Sequence, residues 1–388
     1  MNRAIAKNAI EFAGYAIFIA VILALPFFFD EFELNRLAKY LVYGMLGVAI
    51  AMSWGYAGIL NLGQGLFFGA GAYMLAMSLK LQSPTSLMQG GDNPVPDFMV
   101  WNAEPGAPVD LCCINSASWL WIPFQSTTFG IIMGIALPVM IAFILGITIF
   151  KKRVSGVYVS IITLALVLLV RLVITDAQPI TNGFNGLTDL AYPVIFGFEF
   201  DPYLKATYYL IAGSLAVVLI LARVLLSTRA GLILQAIRDD QNRARYLGFD
   251  VPLYQTAFFA ISAGIAGFAG MLYVIVAEFA SPTFMDLTFS ITMVIWAAVG
   301  GRASLLGAAI GAILINQIEA SVSETQSLVQ AWPVVLGVLF VVAVLFMPRG
   351  LAGLVSDIVD RILGLFRRGG RGGAAELAER PRDPVAAE

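Results

Sequence analysis

An all-α integral membrane protein is what this sequence predicts, on three grounds. Of its 388 residues 59% are hydrophobic and 12% charged, with a mean hydropathy of +0.85, far from the balance of a soluble domain. Apolar runs of about 20 residues, the length that crosses a hydrocarbon core roughly 30 Å thick, recur along the chain. The 37 glycines suit helices that approach one another closely in lipid.

Taken in order, the apolar runs fall at 10–29, 38–56, 63–81, 126–150, 156–174, 206–226, 252–278, 286–300, 303–321 and 331–347. That makes about ten crossings, eight to ten in all. The first follows Arg3 and Lys7 and carries no small-residue cleavage site, so it is expected to be a retained helix and not a removed signal. The run 38–56 passes into Trp54-Gly55-Tyr56-Ala57-Gly58, and 286–300 into Val299-Gly300-Gly301-Arg302. Short, broken or re-entrant segments are expected at both, where protein or a cavity satisfies the freed backbone.

Charge orients the chain. With both termini in the cytoplasm, most of the 23 Lys and Arg gather on one side, among them Lys151, Lys152, Arg153, Arg238, Arg243, Arg245, Arg302 and the arginines near the C-terminus. The positive-inside rule favours that arrangement. The other side receives the loop 82–125, which carries Asp92, Asp97, Glu104 and Asp110, three tryptophans (Trp101, Trp119, Trp121) and no basic residue. It reads as an outward-facing cap or docking surface, or else as a floppy external loop. Residues 1–366 thus form one transmembrane domain. Residues 367–388 have the glycine, proline and charge content of a disordered cytoplasmic tail whose arginines sit near anionic headgroups.

Several chemistries are excluded. There is no G-x-x-x-x-G-K-[ST] loop to cradle a nucleotide, so the chain is not expected to hydrolyse ATP. No G-x-S-x-G elbow or zinc signature occurs, and the absence of histidine removes the common triads and the usual proton carrier. The two cysteines, Cys112 and Cys113, are adjacent, which strains a mutual disulfide and favours two thiols. Glu11, Arg171, Glu278 and Glu319 are the few charges near predicted spans, and all lie near helix ends, where snorkelling is the cheaper arrangement.

The polar groups inside the spans are instead neutral. Asn61 and Gln64 lie in a glycine-dense run, Tyr158, Ser160 and Thr163 in the next predicted span but one, and Asn182, Asn185 and Thr188 just beyond it. Amides and hydroxyls offer donors and acceptors to an uncharged solute without the cost of a buried charge. Asn61, Gln64, Tyr158, Thr163 and Asn185 are therefore candidate path residues, and helix-to-helix bonding is their alternative role. The connection 229–250 stands apart. It holds four arginines (229, 238, 243, 245) and three aspartates (239, 240, 250), with Leu232, Ile233, Ala236, Ile237, Ala244 and Leu247 near helical spacing. It reads as one short amphipathic helix along the membrane surface, closed by Gly248, that docks a cytoplasmic partner, or as a solvated charged loop.

The run A-I-R-D-D-Q-N-R-A-R-Y-L-G from Ala236 to Gly248 resembles the cytoplasmic coupling loop of permease subunits in ATP-binding-cassette importers, specifically the branched-chain amino acid permease family. It departs from the family pattern at Arg243, where a small residue is common. Similar too are G-x-L-N-L-G-Q-G-x-F-F-G-x-G-A-Y (58–73), S-G-V-Y-V-S-I-I-T-L-A (155–165), N-G-F-N-G-L-T-D (182–189) and V-G-G-R-A-S-L-L-G-A-x-x-G-A (299–312). Pro96–Trp101 resembles the urea and short-chain amide subgroup.

The resemblance implies a permease subunit in a bacterial inner membrane, beside a second homologous permease subunit. Two cytoplasmic ATPase subunits that use ATP and magnesium, an extracytoplasmic solute-binding protein and the surrounding lipid would complete the assembly. Neither a nucleic acid nor a cofactor bound by this chain is implied. It points to alternating access, with Ala236, Arg238, Asp239, Asp240, Arg243, Leu247 and Gly248 meeting the ATPase. Urea or a short-chain amide is the expected solute. A branched-chain amino acid is the first alternative, and passive channelling of small neutral solutes the second.

Overall fold

The computed structural model describes residues 2–83, 87–90, 93–96, 98, 119–195, 197–323, 332–346, 350–354 and 356–357. The acidic part of the external loop, Cys112 and Cys113, and the tail 367–388 lie outside these residues. Most of the chain is helical: α1 (Asn2–Ala24), α2 (Glu31–Ile50), α3 (Gln64–Lys80), α4 (Thr127–Lys151), α5 (Val157–Asp176), the single turn α6 (Gln178–Thr181), α7 (Lys205–Ser227), α8 (Arg229–Asp239), α9 (Gln241–Tyr246), α10 (Val251–Ala277), α11 (Leu287–Gly300), α12 (Leu305–Ser323) and α13 (Trp332–Phe346). The described strands form two small antiparallel hairpins in connections, β1 (Leu87–Gly90) with β2 (Asn93–Pro96), and β3 (Val194–Ile195) with β4 (Phe198–Glu199).

Among the described residues seven helical runs are long and apolar enough to cross a membrane. The helices α3, α11 and α13 are apolar but shorter. At 14 residues α11 spans roughly 21 Å, short of the full hydrocarbon thickness. Most predicted boundaries agree with the helices to within two residues. The exceptions are α1, which starts at Asn2 and not at 10, and α2, which starts at Glu31 and not at 38 because its first turn holds Glu31 and Glu33, favourable at a helix N-terminus though invisible to hydropathy. The predicted irregularity in 38–56 does not break that helix. Its last turn widens instead into a π-helix, Ala51–Tyr56.

The buried centre of the bundle is α2, α3 and α10, whereas α1, α4 and α5 turn most of their apolar side chains outward. Close approach of the central helices rests on absent side chains. A Cβ on Gly71 of α3 would collide with the backbone of Gly267 in α10. Against the same stretch of α10, Pro138 of α4 leaves the Gly134 carbonyl without its helical donor. There α10 comes so near that a Cβ on Gly267 would lie 2.6 Å from that oxygen.

Polar clips then fix the bundle. The buried Asn35 amide donates to the carbonyls of Pro202 and Val276 at 3.1 Å each, and Tyr208 donates to the Ile22 carbonyl at 2.8 Å. Within the core the hydroxyls of Tyr43 and Tyr273 lie 3.0 Å apart, inside a cluster with Phe68, Phe284, Phe289 and Trp296.

Two of the charges expected to snorkel form short ion pairs. Glu11 accepts from Arg223 at 2.8 Å, tying α1 to α7, and Arg171 of α5 pairs at 2.9 Å with Asp286, the N-cap of α11. Replacing Gly71 by Leu should force α3 from α10 and cost at least about 1–3 kcal/mol of stability. A lowered melting temperature of the detergent-purified protein would register this, and an unchanged one would show that the helices do not meet so closely.

Candidate coupling site and polar path

The connection 229–250 is a two-helix hairpin, not the single helix its sequence suggested. Asp240 is the break. Its backbone is extended, and its carboxylate accepts from the amides of Asn242 and Arg243 at 2.9 and 3.1 Å, so it caps α9. Thr228 caps α8 in the same way. Gly248 follows α9 with φ of +89°, a conformation that favours glycine, as its predicted capping role requires.

One face of the hairpin is sunk into the protein. Gly231, Leu234 and Ile237 of α8 are buried, and Ile237, Ala244 and Val251 form a small apolar cluster flanked by Ile233 and Tyr254. The other face is open. Leu232, Tyr246 and Leu247 are 61%, 91% and 76% exposed. Asp239 and Arg243 are also exposed, Arg243 paired only loosely with Asp240 at 3.1 Å. Ala236 and Gly248 lie open beside them, which leaves their backbone approachable. Leu232 and Tyr246 were not among the predicted docking residues. The signal for Tyr246 is an aromatic ring on the polar side of a short helix, where only a partner or the bilayer interface would cover it.

Arg238 behaves differently from its neighbours. Its Nη1 donates to the Gly55 carbonyl at 2.7 Å, while Nε and Nη2 hold Asp239 at 3.1 and 2.9 Å. Its guanidinium thus lies between an exposed carboxylate and the end of the π-helix. Around that π-helix the α11–α12 corner also closes: Tyr56 donates to the Ala303 carbonyl at 2.9 Å, and Arg302 stacks 4.9 Å from the Trp54 ring.

Of the candidate path residues the structure brings three together. Asn61 donates to Gln64 at 2.5 Å and accepts from the Gly63 amide at 2.9 Å. Gln64 donates to the Ser262 carbonyl at 3.1 Å, and the Ser262 hydroxyl donates to the Ala49 carbonyl at 2.7 Å. Thr163 accepts from the Leu62 amide at 3.2 Å, next to Ser160, which donates to the Leu60 carbonyl at 2.7 Å. Asn61, Gln64 and Thr163 are all buried, so in this conformation they bond helices to the 57–63 loop. Tyr158 and Asn185 are exposed, near opposite ends of α5, and join no such cluster. Among the described residues no His, Cys, Asp or Glu group gathers to hold a metal.

The model of the family described as branched-chain amino acid transport system / permease component matches residues 34–344, most of the chain. The chain belongs to this permease family. It is 25% identical over 358 residues to the high-affinity branched-chain amino acid transport system permease protein LivM of Salmonella typhimurium, covering 86% of this chain and 73% of the relative. The protein of that name from Escherichia coli matches over the same extent. A probable branched-chain amino acid transport permease protein LivM of Methanocaldococcus jannaschii is 24% identical over 277 residues, 70% of this chain and 76% of the relative. No solved structure matches to a significant degree.

The permease is therefore a multi-pass membrane protein and a transport component. None of these three relatives is named for urea or amides, so the expected amide subgroup gains no support from them. The alternative reading, branched-chain amino acids, fits better.

The exposure contrast is directly measurable. With Cys112 and Cys113 replaced by Ser, Leu247→Cys should react rapidly with a polar maleimide in opened membranes, and Gln64→Cys should stay silent until the protein is denatured. Equal labelling of the two would contradict the geometry.

Proposed function

We propose that this permease is the membrane subunit of an ATP-driven importer of branched-chain amino acids in a bacterial inner membrane, with both termini cytoplasmic. The observation that carries the reading is the α8–α9 hairpin. It is a folded platform rooted in the bundle by Ile237 and Ala244, yet its Leu232, Tyr246, Leu247, Asp239 and Arg243 side chains are left open. A sequence with no nucleotide-binding loop and an amphipathic platform of this kind suits a protein driven from outside itself. Two ATPase subunits would seat on such hairpins from the cytoplasm, a second homologous permease subunit would complete the path, and an extracytoplasmic binding protein would deliver the solute. Closure of the ATPases would move packed helices as rigid bodies and expose the path to each side in turn.

A urea or short-chain amide importer is the second reading, favoured by the resemblance of Pro96–Trp101 and by the neutral amides and hydroxyls at 61, 64 and 163. A zwitterionic amino acid is compatible with the same groups, because backbone dipoles and helix termini meet its charges.

Proteoliposomes holding the complete transporter and its receptor should take up leucine on addition of ATP. Uptake of urea or acetamide with no leucine uptake would select the second reading. Solute flux through this chain alone, without ATP, would instead identify a passive channel. The double variant Asp239→Ala, Arg243→Ala should insert normally but lose about tenfold or more of its ATP-driven uptake, within the usual range of coupling energies. Wild-type uptake in that variant would argue against docking at these residues.

A further inference from the structure

We propose that Arg238 is the positioning residue that links the docking hairpin to the irregular segment 51–64, and through it to the bundle. The inference rests on the permease function proposed for this chain.

Three observations converge on this side chain. First, the π-helix Ala51–Tyr56 leaves the regular bonding ladder, and the Gly55 carbonyl takes its hydrogen bond from Arg238, 183 positions away. Second, the fit there is tight on the far side as well. Gly58 has φ of +70°, and a Cβ on it would stand 2.9 Å from Cγ of Arg238, so the arginine stem lies directly on the loop backbone. Third, the loop beyond is gripped residue by residue by other helices. Ser160 of α5 holds Leu60, Thr163 of α5 holds Leu62, and Ser262 of α10 holds Gln64. The other face of the π-helix rests on the α11–α12 corner, since a Cβ on Gly55 would collide with the Arg302 carbonyl.

A displacement of α8 is thus delivered to one backbone carbonyl, and that carbonyl belongs to a segment with contacts to α5, α10 and the α11–α12 corner. A π-turn followed by an extended loop suits this task, because it is the one stretch between α2 and α3 that is not locked into an α-helical ladder. The same guanidinium also holds the exposed Asp239. A cationic group on a docked subunit that engaged Asp239 would draw on the side chain that grips Gly55, so contact outside and strain inside share one residue.

The test uses the assembled transporter in proteoliposomes and reads solute moved per ATP hydrolysed. Arg238→Met keeps the stem and removes the fork, and the ratio is expected to fall about tenfold, within the range of site-to-site coupling. Arg238→Lys should recover part of it, since one ammonium reaches the carbonyl but does not bracket Asp239 at the same time. Gly58→Ala displaces the stem without touching the docking face and should lower the ratio in the same direction.

A purely structural role would lower melting temperature and assembly while leaving the ratio unchanged. A wild-type ratio in both Arg238→Met and Gly58→Ala overturns the inference while leaving the permease reading intact. If Arg238→Met fails to assemble, Gly58→Ala alone decides by the same criterion. A wild-type transporter without ATP-driven uptake overturns both.

Discussion

A backbone that leaves helical bonding inside a membrane-spanning bundle must find each of its hydrogen bonds elsewhere, since lipid offers none. Residues 51–63 are where this chain meets that demand, between α2 and α3. Three of the groups that answer it come from far along the sequence, Arg238 for Gly55, Ser160 for Leu60 and Thr163 for Leu62, and Asn61 accepts from the Gly63 amide two residues away. Around this segment the otherwise greasy helices acquire a fixed relation to one another. Asn61, Gln64, Ser160 and Thr163, four of the neutral polar residues that the sequence displays, are spent on it.

The helices were legible because hydropathy decides them. Runs such as 206–226 and 252–278 leave no alternative to a buried or lipid-facing helix, and α7 and α10 occupy them nearly residue for residue. Where other forces decide, the pattern falls silent. The start of α2 is set by acidic residues at its N-terminus, which a hydropathy window discards. The break at Asp240 did carry a signal, an aspartate placed to cap a new helix, but beside Asp239 and Arg238 it reads as part of a charged helical face.

The inward turn of Arg238 was beyond reach of any local pattern. A side chain bonding to a carbonyl 183 positions earlier in the chain leaves no trace in its own neighbourhood. Likewise Asn61 and Gln64 stand out in the sequence as polar residues in an apolar run. Only packing discloses that they face each other and Ser262, in contrast to Tyr158, whose ring points away from the bundle.

The ion pair between Glu11 and Arg223 has a consequence for how this protein is made. The two residues are 212 positions apart, so during synthesis the carboxylate emerges long before the guanidinium exists. Glu11 lies at the edge of the apolar run and is exposed, so the first helix can hold it at the headgroup layer until α7 arrives to claim it. Closure at this corner is thus a late meeting of two helices made far apart in time.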